Sequence, residues 1–123
     1  MNHQNIQRMN DFFAERIAGC EQRGTALKAD ERGDEAVNEK VRANIFDVFR
    51  TVLSAAEKAG RGDAKAVRSF FRDRLETIPS GWAVSYDKAR EHDDAVRMQI
   101  EMIKLDAAAE IREYFDQVWE EEP

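Results

Sequence analysis

The sequence predicts an all-α fold: a compact four-helix, bundle-like domain with a long C-terminal helix, spanning residues 1–123 as one unit. Three observations predict it. Apolar residues recur at spacings of three and four along most of the chain, which is the period of a helix face and not the alternation of a strand. Only 2 Pro and 6 Gly occur in 123 residues, so little interrupts regular structure. The interruptions that do occur cluster into turn signals that divide the chain into four segments.

The first segment, about Asn5 to Leu27, carries Ile6, Met9, Phe13, Ile17 and Cys20 on one stripe. Gly24 weakens its last turn by about 1 kcal/mol relative to Ala without ending it. The run Ala29-Asp30-Glu31-Arg32-Gly33-Asp34 lacks a large apolar anchor and reads as the first connection. Asp34 is placed to cap a second helix, about Glu35 to Lys58, its carboxylate accepting from a free backbone N–H. There Val37, Val41, Ile45, Val48, Val52 and Ala55 form the main stripe, and Phe46, Phe49 and Leu53 widen it.

Gly60-Arg61-Gly62 is the clearest break in the chain. Asp63 caps a third helix, about Ala64 to Thr77, with Val67, Phe70, Phe71, Leu75 and Ile78 facing inward. Pro79-Ser80-Gly81 ends it in this reading, because proline cannot continue the hydrogen-bond ladder. The fourth segment, about Ala83 to Glu120, contains no Gly and no Pro. It reads as one helix of about 57 Å, from the rise per residue. The acidic end Glu120-Glu121-Glu122-Pro123 opposes the helix dipole and is expected to fray.

An internal echo offers an alternative topology. Lys28-Ala29 before Gly33-Asp34, Lys58-Ala59 before Gly62-Asp63, and Lys88-Ala89 before His92-Asp93 recur at about 30 residues. Each resembles the turn of a helical-hairpin repeat of the tetratricopeptide type. That resemblance implies a break near His92-Asp93, which splits the fourth segment. It covers only the turns, and the large aromatic and proline positions of that family are missing.

The fourth segment is apolar on two sides. Ala89, Val96, Ile100, Ile103, Ala107, Ile111, Tyr114 and Val118 share one face. Ala95, Met98, Met102, Leu105 and Ala109 share a nearly opposite one. Charged residues, Arg97, Glu101 and Lys104 among them, fill the flanks. A helix apolar on opposite sides is sandwiched between neighbours. Met98, Met102 and Leu105 are therefore candidate interface residues, and a C2 homodimer or a protein partner is expected to cover them.

The chain holds 25 Asp+Glu against 19 Lys+Arg, a net charge of −6, with both signs interspersed. That balance disfavours a phosphate backbone, so no nucleic-acid partner is expected. Cys20 is the only cysteine and has no partner for an intramolecular disulfide. Residues Met1 to Asn5 show no basic segment leading into an apolar run, and no stretch approaches the roughly 20 apolar residues of a spanning helix. A cytoplasmic location without membrane contact is the expectation.

Chemistry-bearing candidates are few. His92 and Asp93, with Trp82 and Tyr86 earlier in the segment, form a candidate polar pocket. His92 sits among Glu91, Asp93 and Asp94, but consecutive helical residues point in different directions and do not converge on one ion. No catalytic, metal-ligating or cofactor-binding residue is assigned, and no cofactor is expected. Asp73-x-x-Glu76 followed by Glu91-x-x-Asp94 resembles the paired acidic motifs of all-helical nucleotide pyrophosphohydrolases. The resemblance implies Mg²⁺ held between two helices. Asp73 stands where that family has Glu, and both pairs fall on outward faces of the helices as drawn. The preferred expectation is therefore a self-associating interaction or regulatory module. The alternative is a small-molecule-binding or metal-dependent helical enzyme.

Overall fold

The structure, a computed structural model, describes residues 3–120 and contains four helices and no strand among them. They are α1 (His3–Ala29), α2 (Gly33–Gly60), α3 (Ala64–Glu91) and α4 (Ala95–Glu120). Consecutive helices are antiparallel. Phe12 meets Phe46, Phe49 meets Phe71, and Phe71 meets Phe115. The bundle closes through Arg16 and Glu110, which join α1 to α4 at 2.6 Å. Helices α2 and α4 sit on the near diagonal, while α1 and α3 meet through Phe13 and Phe71, centroids 6.4 Å apart. The all-α bundle and its long C-terminal helix are as the sequence predicts, though α4 begins at Ala95 and not at Ala83.

Two boundaries differ from the sequence reading. Pro79 does not end α3 but lies inside it. An interior proline costs a helix about 3 kcal/mol. The apolar face of Val67, Phe71, Leu75 and Ile78 continues beyond it to Trp82 and Ala89. Withdrawing half an indole from water returns a comparable amount at about 25 cal/mol per Å². The chain breaks instead at His92-Asp93-Asp94, as the alternative topology requires. The amides of His92, Asp93 and Asp94 donate to the carbonyls of Lys88, Arg90 and Ala89, which satisfies the end of α3.

The three corners share one device. A residue in the left-handed region turns the chain at Glu31 (φ 58°), Gly62 (φ 88°) and Asp93 (φ 52°), evenly spaced along the sequence. Arg61 joins Gly62 there, at φ 47°. At the second corner Asp63 caps α3 as expected, accepting from the Lys65 amide at 3.0 Å. At the third, Asp94 accepts from the Arg97 amide at 3.1 Å. At the first, Asp34 is no cap. Helix α2 starts two residues earlier, at Gly33 behind Arg32, and Asp34 and Glu35 complement the dipole from within its first turn.

The core is built on phenylalanines. Phe13, Phe46, Phe49, Phe71 and Phe115 are almost fully buried, and Phe71 lies edge-on or tilted to three of the others. In α2 the centre of the buried face runs through Phe46, Phe49, Leu53 and Ala56. Val37 and Val48 of the expected main stripe are exposed instead. The valines and the phenylalanines lie on adjacent strips of one helix, and the larger rings gain more by turning inward. Similarly, Val96 of the expected α4 stripe is 70% exposed, while Ile103, Ala107, Ile111 and Val118 are buried. The expected fraying at the C-terminus concerns residues 121–123, which lie outside the described residues; Glu120 is helical. No helix among the described residues is long and apolar enough to cross a membrane.

Candidate functional site

On α4 the second apolar set resolves into two lines. Leu105 lies one heptad before Arg112, which reaches Glu76 of α3 at 3.4 Å. Met98 lies one heptad before Leu105. Both are half-buried along the border with α3. Ala95, Met102 and Ala109 form the next line outward and are exposed, Met102 at 40%. Spacings from Ala95 to Ala109 run 3, 4, 3, 4, which is the a/d pattern of a coiled-coil seam. The strip is free of charge for about 21 Å at the helical rise. Glu101 and Lys104 do not interrupt it, because Glu101 is buried and Lys104 reaches toward it and the Trp82 ring.

Glu101 is the residue that sequence reading misplaced. It was expected on a charged flank, yet it is 1% exposed. Arg97 Nε donates to its Oε1 at 3.1 Å, and Lys104 Nζ lies 3.4 Å from the same oxygen. Its Oε2 is buried without a hydrogen-bond partner. Lys104 Nζ also sits 5.9 Å from the centroid of Trp82, which is itself edge-on to Phe49. A signal was present: cations four residues before and three after a carboxylate can follow it inward and keep their own charges in water.

Trp82 and Tyr86 are half-buried on successive turns of α3, whereas His92 and Asp93 are exposed at its end. About 15 Å of helix separates Trp82 from His92, so the structure does not bring these four side chains together. Asp93 forms the corner between α3 and α4. Of the two acidic pairs, Asp73 bonds its neighbour Arg74 at 2.6 Å and Glu76 holds Arg112. Glu91 is exposed, and Asp94 is the cap of α4. Among the described residues, no group of three or more His, Cys, Asp or Glu lies together as metal ligands would.

Cys20 is buried at the contact of α1 with α2. Burial, and then the charge of Glu39, push its thiol above the ordinary range; Arg23, which donates to Sγ at 3.5 Å, opposes them. An inert thiol of this kind is a packing residue. No protein-family model, no curated protein and no solved structure matches the chain.

Proposed function

We propose that this domain is a helical interaction module that pairs with a second copy of itself through the outer strip of α4. One observation carries the reading. The charge-free a/d strip is close to symmetric in shape about Met102, with Ala95 and Ala109 one heptad to either side and Met98 and Leu105 between. A C2 contact places the same patch on both subunits. Two α4 helices crossing antiparallel at Met102 set Ala95 against the second copy's alanine and Met98 beside its leucine. Small residues at the ends let the backbones approach while the methionines interdigitate and adapt at the centre. A single helix pair is at the low end of interface size, so the dimer dissociates in the micromolar range, about 8 kcal/mol.

Sedimentation equilibrium across low to high micromolar protein tests this. The expected result is a reversible shift from the 14.2 kDa chain toward twice that mass. Met102→Glu, at an exposed position, keeps its helical circular dichroism and remains a monomer. A wild type that stays monomeric throughout refutes the proposal. So does a Met102→Glu protein that dimerises equally well.

A further inference from the structure

Between α1 and α4, over a floor made by α2, runs a groove of about 570 Å³. Three arginines line it: Arg16 and Arg23 from α1 and Arg42 from α2. Two of them are held. Arg16 reaches Glu110 at 2.6 Å, and its guanidinium lies 4.8 Å from the centroid of the Phe12 ring. Arg23 reaches Glu39 at 3.2 Å and folds back over Gly19. A side chain at residue 19 would start only 3.2 Å from Arg23 Nη1, so the glycine leaves room for the guanidinium to lie there.

Arg42 is different. It is half-buried, and no carboxylate among the described residues comes within ion-pair reach of it. Its Nε is buried with no hydrogen-bond partner. A cation partly withdrawn from water without a counter-ion is unfavourable, and the deficit is relieved by an anion that enters the groove. Glu110 and Glu39 each pair with one of the other two arginines through a single oxygen, Glu39 keeping a buried Oε2 without a hydrogen-bond partner, and Glu15 is exposed at the rim. Arg42 is therefore the one arginine of the groove without an ion pair among the described residues.

The geometry points to a binding site for a small molecule that carries an oxyanion, either a phosphoryl or a carboxylate group, clamped by the Arg42 guanidinium. The planar fork of donors on that group matches two oxygens of such an anion. Arg16 and Arg23, fixed by their glutamates, flank it and add field without leaving their partners. A groove of this size admits more than the bare anion, so the rest of the ligand lies along Gly19 and Phe46.

The test is a titration followed by amide NMR shifts, with inorganic phosphate in one arm and succinate in the other. Sodium chloride at matched ionic strength is the control. Saturable shifts are expected at Gly19, Gln22, Arg42 and Phe46 in at least one arm, and which arm responds identifies the oxyanion. Arg42→Gln weakens that binding at least about tenfold, as loss of a charged bidentate contact does. Arg72→Gln, on the exposed side of α3, leaves it unchanged. No saturable shift in either arm overturns the proposal. So do equal shifts with chloride, or equal binding by Arg42→Gln. If Arg42→Gln does not fold, wild-type shifts centred away from the groove overturn it.

Discussion

Gly81→Ala and Gly60→Ala are the same substitution and should have opposite effects on stability. Gly81 lies inside α3, two residues beyond Pro79, and is exposed. Apart from its chain neighbours and the nearby backbone of its own helix, no heavy atom lies within 4 Å of where its Cβ would stand. Alanine there removes backbone freedom from the unfolded chain and adds helix propensity, about 1 kcal/mol. For a domain of this size that is a rise of roughly 3–5 °C in Tm. Gly60 closes α2 where α3 begins. A Cβ there would meet Val67 Cγ2 at 2.5 Å and Val67 N at 3.1 Å. Val67 is 1% exposed and β-branched, so it cannot swing aside. Overpacking of this kind costs about 1–3 kcal/mol, and the propensity gain at a helix end is smaller than in the middle. Gly60→Ala should therefore lower Tm by several degrees, about 1–2 kcal/mol net. Thermal and urea unfolding followed by circular dichroism reads both. A fall in Tm for Gly81→Ala would refute the reasoning, since it would place Gly81 in a left-handed turn with the helix broken at Pro79.

Two further predictions concern buried groups. Glu101→Met should raise stability by about 1 kcal/mol in urea unfolding, because it removes a buried oxygen that has no partner. Arg97 and Lys104, with side chains 57% and 26% exposed, regain water and are not stranded. A loss of stability would mean that the ion-pair cluster outweighs the orphaned oxygen. For Cys20, a folded-state pKa raised by burial means that its contribution is complete below the ordinary thiol value of 9.0 and is lost as pH climbs through the raised value. Wild-type stability should therefore fall more steeply above pH 9 than that of Cys20→Ala, and native protein should react slowly with a thiol reagent. Matching pH profiles for the two proteins would contradict this.

The α4 strip and the arginine groove differ in how far they can be read from sequence. Met98, Met102 and Leu105 were legible because a seam on one helix is a periodic pattern and needs no knowledge of neighbours. The groove was not, because Arg16, Arg23 and Arg42 come from two helices and look like ordinary solvated charges until packing places them together. Glu101 was misplaced for a related reason. Its wheel position lies between flank and core, and only the actual position of α3 decides on which side the carboxylate falls.

The sequence by itself determined the helical class, the count of four, the first two corners and the Asp63 cap, because each depends on local periodicity or on backbone chemistry within a few residues. It also carried the echo of the third corner at His92-Asp93. It did not decide between that corner and Pro79, because both are credible helix ends by local rules. The tertiary structure decided. Carrying α3 through Pro79 buries Trp82 and Ala89 against the bundle, and that packing, available only once the other helices are in place, outweighs the local cost of proline.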